Sequence, residues 1–187
     1  MYKIVFNDKE ISIDSEVSLF SPSGADRGTL CMLSHVDFNA EQKLLDLGCG
    51  TGIVSLAACS YGVLPQNVVM SDIDETAVAT ASKNMRANGF EGAICVVSDG
   101  FNDIPGKDYD LILSNPPYHT DFKVAKNFIE KGFNRLKLGG RMFMVTKRKE
   151  WYKKKMISVF GGVKIYEDDG YFVFEAQKRD QRYAMKR

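Results

Sequence analysis

From residue 43 onward, apolar positions alternate between two patterns. Short continuous apolar runs indicate buried strands, and longer segments with apolar positions three or four residues apart indicate helices. The predicted strands are Lys43–Leu47, Asn67–Asp72, Ala93–Val97, Tyr109–Ser114, Arg141–Thr146, Val163–Glu167 and Tyr171–Ala176. The predicted helices are Thr51–Tyr61, Asp74–Asn88, Phe122–Leu136 and Glu150–Phe160.

The order of these elements predicts the fold class. Strands that alternate with helices form βαβ units, which assemble into a mostly parallel sheet with helices on both faces. The last two strands have no helix between them, so they must be antiparallel neighbours, since a parallel crossover needs a dozen or more residues. The pattern therefore predicts an α/β fold with a seven-stranded sheet and one antiparallel strand near an edge.

The first 40 residues follow a different pattern. Two short apolar stretches, Tyr2–Phe6 and Glu10–Ile13, flank a polar turn and predict a small hairpin. A polar loop follows, and a short helix is expected near Thr29–His35. We therefore predict an N-terminal hairpin and helix extension over residues 1–40 and the main domain over residues 41–187, within one globular body.

Composition adds several exclusions. The 187 residues are 44% apolar and 26% charged, as in ordinary globular domains. No apolar run approaches the roughly 20 residues that cross a bilayer, and the N-terminus lacks a secretory pattern. The four cysteines are far apart, which argues against a metal site or a disulfide framework. We expect a cytoplasmic protein with no membrane partner and no metal.

The net charge is only +1, but the charges are divided along the chain. Residues 1–120 carry 7 basic and 16 acidic residues, a net of −9, whereas residues 121–187 carry 18 and 8, a net of +10. The basic residues cluster in 147–155 and 178–187. This asymmetry indicates either a polyanionic partner such as nucleic acid or a solvated helix face with a basic tail.

The segment LLDLGCGTG, residues 44–52, combines a buried strand, three glycines and a following helix. Glycines let the backbone turn tightly and approach a ligand, and the helix N-terminus offers free N–H groups. The spacing differs from the dinucleotide fingerprint, and no Lys-Ser or Lys-Thr of a phosphate loop follows. A ligand-binding loop and an ordinary strand–helix turn both remain open at this point.

Acidic residues end the next two strands. Asp72 lies about 20 residues beyond the glycine loop, where a carboxylate can accept hydrogen bonds from both hydroxyls of a ribose. Asp99 could accept a bond from an adenine amino group, or could simply be a turn residue before Gly100. Asp74 is expected to cap a helix. Because these strand ends meet at one edge of a parallel sheet, they predict a shared binding crevice.

The fourth strand ends in SNPPYH, residues 114–119. Two prolines stiffen this loop. The side-chain oxygen of Asn115 and the carbonyl of Pro116 can both accept hydrogen bonds from an NH₂ group, which orients the lone pair of a planar nitrogen. Tyr118 can stack on a flat substrate, and His119 could assist or position it.

Together these motifs resemble those of class I S-adenosylmethionine-dependent methyltransferases, which have a Rossmann-like fold. The resemblance implies that the cofactor is S-adenosylmethionine. The cofactor contacts that it implies are Asp46, Gly48, Cys49, Gly50, Asp72, Ile73, Asp99, Gly100 and Asn115. It implies catalytic roles for Asn115, Pro116 and Tyr118, and substrate contacts for Pro117, Tyr118 and His119.

The N-P-P-Y-H sequence and an upstream F-S-x-x-x-x-D-x-G stretch, containing Asp26 and Gly28, are similar to the small-domain enzymes that methylate guanine N2 in small-subunit ribosomal RNA. An RNA partner, in ribosomal RNA or a ribosomal particle, is therefore expected. Adenine N6 in RNA and protein glutamine are alternative acceptors for this motif. A non-enzymatic RNA-binding module is the contrasting hypothesis.

Overall fold

The computed structural model describes residues 1–15, 24–117 and 122–184. Within them, the N-terminal hairpin consists of β1 (Tyr2–Phe6) and β2 (Lys9–Ile13). The main sheet contains β3 (Leu44–Leu47), β4 (Val68–Asp72), β5 (Ile94–Val97), β6 (Tyr109–Ser114), β7 (Leu136–Thr146), β8 (Lys164–Asp168) and β9 (Tyr171–Gln177). The α-helices are α1 (Arg27–Leu33), α2 (Ile53–Ser60), α3 (Glu75–Ala87), α4 (Phe122–Arg135) and α5 (Lys149–Phe160), with a short 3-10 helix at Pro65–Asn67.

The strand order in the main sheet is β5-β4-β3-β6-β7-β9-β8. The first five strands in this order are parallel. Strand β9 is antiparallel to both of its neighbours and lies one position from the edge. The predicted fold class, including the antiparallel strand near one edge and the N-terminal hairpin, is confirmed.

Side chains that alternate along the strands pack on helices on both sides of the sheet. Leu44 and Leu111 are buried in a cluster with the hairpin and α1, α2 and α3. Their neighbours Leu45 and Ile112 are buried in a second cluster with α4 and α5. None of the helices in the described part of the chain is long and apolar enough to cross a membrane.

Asn84 of α3 and Asn88, the residue that caps its C-terminus, connect the hairpin to the domain by hydrogen bonds. Ile13 is fully buried in the first cluster. Asn84, almost fully buried, accepts from the Asp14 backbone N–H (2.9 Å) and donates to the Thr51 carbonyl (2.9 Å). Asn88 makes a similar pair of bonds with the backbone of β2. The hairpin is thus connected through α3 to the end of the glycine loop.

One strand begins earlier than the sequence pattern predicts. Strand β7 starts at Leu136 rather than Arg141, so the two glycines expected to follow the helix lie within the strand. A Cβ atom on Gly140 would stand 2.7 Å from the carbonyl oxygen of Tyr109. The Gly140 carbonyl also accepts from the Lys178 backbone N–H at 2.9 Å. Gly140 therefore permits a close approach of the β6 and β7 backbones.

Candidate functional site

A cleft of about 460 Å³ opens at the carboxyl ends of the parallel strands. Strands β3, β4, β5 and β6 end there, as the topology of an open parallel sheet requires. It brings together most of the residues that the sequence singled out: Asp46, Gly48, Cys49, Gly50, Asp72, Ile73, Asp99, Gly100, Asn115, Pro116 and Pro117. Tyr118 and His119 lie outside the described residues, so their roles stay predictions.

The glycine loop crosses the end of β4 and is held there by its backbone. The N–H groups of Gly48 and Cys49 both donate to the carbonyl of Ser71, at 2.8 and 2.9 Å. Gly48 and Gly50 have φ values of +78° and +53°, which glycine adopts without strain. A Cβ on either would meet no protein atom within 4 Å. The bare backbone thus faces space that a ligand can fill.

Asp72 organises the same loop through its carboxylate. Its Oδ2 accepts from the Gly50 N–H at 3.0 Å, and its Oδ1 accepts from the Asp74 N–H at 3.1 Å. Because a carboxylate offers about four acceptor positions, further donors can bind beside these two. Asp74 caps α3 by accepting from the Thr76 N–H at 2.8 Å, as the sequence predicted.

Asp46 lies deeper, at the end of β3, and is only 1% exposed. Its Oδ2 accepts from the backbone N–H (3.2 Å) and hydroxyl (2.8 Å) of Ser55 in the first turn of α2. Burial raises the pKa of Asp46 from its usual 3.8 to about 7, although the two Ser55 donors act in the opposite direction. This carboxylate joins the loop to α2.

At the β5 end of the cleft, Asp99 and Ile73 project from the strand ends. Asp99 is exposed, and the Ile73 side chain is 68% exposed, which is unusual for an isoleucine. A Cβ on Gly100 would stand 2.9 Å from the side-chain nitrogen of Asn127 in α4. The exposed Ile73 side chain gives this end of the cleft an apolar surface, and Asp99 gives it a carboxylate. Together they suit a planar ring that carries an amino group.

The Asn-Pro-Pro loop closes the opposite side of the cleft. The Ser114 hydroxyl donates to the Leu47 carbonyl at 2.7 Å, which ties the end of β6 to the end of β3. The side-chain nitrogen Nδ2 of Asn115 donates to Oδ1 of Asp26 at 2.7 Å and to Oγ1 of Thr29 at 2.9 Å. The Asn115 amide is therefore connected to α1, which lies within the predicted N-terminal extension, residues 1–40.

Sequence reasoning missed several lining residues. Tyr2 of β1 and Thr29 of α1 reach the cleft, as do Ser71 and Ser98. Burial raises the pKa of the Tyr2 hydroxyl, partly offset by its hydrogen bond with Thr51. The upstream motif singled out Asp26 in the sequence, but nothing in the sequence indicated that Asp26 contacts Asn115. For Tyr2, the sequence predicted only that it lies in a strand.

The known proteins to which this chain is similar are methyltransferases. Residues 10–175 match the family described as methyltransferase small domain. Two curated relatives, from Pseudomonas putida and Psychromonas ingrahamii, are each named ribosomal RNA small subunit methyltransferase C. Each is 32% identical, covering 94% and 91% of this chain but 53% and 49% of the relative. The chain spans about half the length of these relatives.

Solved structures agree with these matches. The T. thermophilus 16S rRNA N2 G1207 methyltransferase, in complex with AdoMet and guanosine, has a TM-score of 0.85 and 25% identity, covering 95% of this chain and 50% of that one. TrmN from Thermus thermophilus has a TM-score of 0.68 over 80% of this chain and 48% of its own length, and at 24% identity it shows the fold alone. The family resemblance drawn from the sequence motifs is confirmed.

Proposed function

Because the chain belongs to the methyltransferase small domain family, we propose that it methylates an exocyclic amino group of a base in RNA, with guanine N2 of small-subunit ribosomal RNA as the acceptor and S-adenosylmethionine as the donor. The observation that carries this proposal is the single cleft shared by the glycine loop and the Asn-Pro-Pro loop. The names of the curated relatives support the choice of acceptor. A ribosomal RNA acceptor also implies a cytoplasmic location.

The cleft suits S-adenosylmethionine in three respects. The bare backbone at Gly48 and Gly50 leaves room for a ligand against the loop. The Asp72 carboxylate has acceptor capacity left for ribose hydroxyls. Ser71 lines the cleft, and its buried hydroxyl has no hydrogen-bond partner in the described part of the chain. When bound, the cofactor would supply an electrophilic methyl group on a sulfonium and would be left as S-adenosylhomocysteine, while the methylated nitrogen would release one proton to solvent.

On the acceptor side, the chain's contribution is positioning. An exocyclic amino nitrogen of a base is a poor nucleophile, since its lone pair is delocalised into the ring. The Asn115 side-chain oxygen and the carbonyl of buried Pro116 offer two acceptors for its hydrogens. Hydrogen bonds to both favour a geometry in which the lone pair leaves the ring plane and faces the methyl group. We propose that Pro117, Tyr118 and His119 contact the base itself.

The RNA strand is expected along the edge that carries the cleft. Lys147 and Arg148 follow β7 directly, are exposed, and stand at the same sheet edge as Asn115, because β6 and β7 are parallel and Ser114 pairs with Met144. Exposed cations at this edge can neutralise phosphates that flank the target base.

Several cations of the basic segments have protein partners. Lys149 forms an ion pair with Glu167 of β8 at 3.0 Å. Lys155 pairs with Glu130 of α4. Lys178 is 5% exposed and donates to the Leu136 carbonyl at 2.7 Å, and burial lowers the pKa of its amine. The clusters seen along the chain are therefore only partly available to a polyanion.

The proposal is tested by transfer of labelled methyl from S-adenosylmethionine to ribosomal RNA and 30S particles that lack the modification, followed by nucleoside analysis. We expect labelled N2-methylguanosine with wild type. Asn115→Ala should reduce turnover at least a hundredfold while leaving the dissociation constant of the cofactor within a few-fold. Label in N6-methyladenosine or in protein glutamine would contradict the guanine assignment, and transfer to none of these acceptors would contradict the function.

A further inference from the structure

The N-terminal extension contacts the residue on which the proposed chemistry depends. Asp26 and Thr29 lie 89 and 86 residues before Asn115, yet both accept hydrogen bonds from its Nδ2 atom. The distances, 2.7 and 2.9 Å, are those of well-formed bonds. All three residues line the cleft.

The chemistry of these partners fixes the orientation of the amide. An ionised carboxylate accepts hydrogen bonds and cannot donate them, so the atom of Asn115 facing Asp26 must be the nitrogen. An amide nitrogen has two hydrogens, and the two contacts account for both. Oδ1 shares the amide plane with Nδ2 and therefore points away from these two partners. It is the only side-chain atom of Asn115 able to accept a bond from an amino group.

The element that carries these two acceptors is itself held firmly. Asp26 caps α1 with the same Oδ1 atom, which accepts from the Thr29 backbone N–H at 2.9 Å. Five of the seven residues of α1 are buried. Arg27 forms an ion pair with Asp169 in the turn between β8 and β9. The acceptors thus sit on a packed helix, which gives them a defined position relative to β6.

We propose that Asp26 and Thr29 are positioning residues that hold the Asn115 amide with its oxygen directed to the amino group being methylated. Without them the amide can rotate by 180° and present its NH₂ group, which would oppose the amino hydrogens of a substrate. The inference rests on the proposed function for its catalytic consequence, but the amide orientation can be measured without any substrate.

The first test separates positioning from folding. Asp26→Ser keeps a good helix cap, because serine can accept from the Thr29 N–H, but its hydroxyl is too short to reach Asn115. We expect kcat to fall at least tenfold, with the cofactor dissociation constant within threefold by calorimetry. Asp26→Asn, which keeps an acceptor oxygen, should recover most of the lost rate. Thr29→Val, which keeps the volume, should lower kcat independently.

Asp110→Ser is the matched control. Asp110 accepts from the Lys43 N–H at the opposite edge of the sheet, so kcat should stay within twofold after its replacement. If Asp26→Ser keeps a normal kcat, the proposal is wrong. If instead the cofactor dissociation constant rises more than tenfold, Asp26 is a cofactor ligand, and the proposal is equally wrong.

The second test needs no methyl transfer. The two Nδ2 protons of Asn115 are assigned by NMR from the signals missing in Asn115→Ala. Their exchange with solvent should be at least tenfold faster in Asp26→Ser than in wild type, because a hydrogen-bonded acceptor has been lost. Unchanged exchange would overturn the inference. Accelerated exchange in a protein that methylates no RNA would keep the amide orientation and contradict only the proposed function.

Discussion

At the scale of single residues, Asp72 is the side chain whose removal should affect the cofactor most. It accepts from backbone N–H groups on both the glycine loop and the following turn. Asp72→Ala should weaken S-adenosylmethionine binding by about 1.5–3 kcal/mol, the value of a charge-assisted bond, measured by calorimetry. Glu75→Ala, an exposed acid outside the cleft, should change the affinity less than twofold. Equal affinities for wild type and Asp72→Ala would remove Asp72 from the ribose site.

Asp46 should make stability depend on pH. Its pKa is about 7 in the folded state against 3.8 usually, so between these values the folded state binds more protons. The stability this proton contributes is complete below about pH 4 and is lost as the pH rises through 7. From pH 5 to 8, wild type should therefore lose about 2–3 kcal/mol relative to Asp46→Asn in urea unfolding. Parallel pH profiles would show that the carboxylate is not proton-linked to folding.

At the residue scale, the sequence could predict which side chains meet in the cleft. Asp72 and Asn115 could be placed there because each ends a recognisable strand, and parallel strands bring their ends together. The contact between Asp26 and Asn115 could not, because it joins residues 89 positions apart and leaves no periodic signal in the sequence. The motif marked Asp26, but its partner depends on how α1 packs across the sheet.

At the scale of elements, the lack of a side chain at Gly140 lets β7 lie close to the start of β6. A Cβ there would stand 2.7 Å from the Tyr109 carbonyl oxygen and 3.0 Å from that of Lys137, both backbone atoms that cannot move independently. Gly140→Ala should destabilise the fold by about 1–3 kcal/mol, measured by urea unfolding. Gly162→Ala, where a Cβ meets nothing within 4 Å, is the matched control and should be nearly neutral. Equal stability of the two variants would mean that the strand can shift.

Element prediction was most accurate where the apolar runs are continuous and buried. Strand β6 has the predicted bounds, Tyr109–Ser114, because its side chains pack on both faces. Strand β7 was predicted too short, since a pair of glycines indicates a helix end and gives no sign of a close backbone crossing. The attachment of the hairpin was also beyond prediction, because Asn84 and Asn88 resemble ordinary polar positions of an exposed helix face.

At the scale of the whole molecule, the exposed cations Lys147 and Arg148 at the cleft edge of the sheet should make RNA affinity depend on salt concentration. Replacing Lys147 and Arg148 by Ala should lower RNA affinity and shallow the salt dependence, by about 0.7 in slope per lost phosphate contact on single strands. The effect should be similar across RNA sequences, because phosphate contacts position the strand. Filter binding over a range of salt concentrations measures both quantities.

The matched variant for this measurement replaces Lys107 and Lys137 by Ala. These lysines lie toward the amino ends of β6 and β7, at the sheet edge opposite the cleft, and their loss changes the net charge equally. We expect their salt slope to match wild type. Identical slopes for both double variants would assign the effect to overall charge and not to this edge.

The strand order places the acidic and the basic segments of the sequence in different halves of the sheet. Residues 44–117 supply β3 to β6 and carry 3 basic and 9 acidic residues, a net of −6. Residues 122–184 supply β7 to β9 with α4 and α5 and carry 16 basic and 7 acidic residues, a net of +9, so the two halves of the sheet carry charge of opposite sign. Such a molecule has an electric dipole across the sheet, with the cleft near the boundary. A polyanion would exert a torque that turns the basic half toward it before contact. Approach should therefore be oriented, and its rate should fall with ionic strength more steeply than a net charge of +1 suggests.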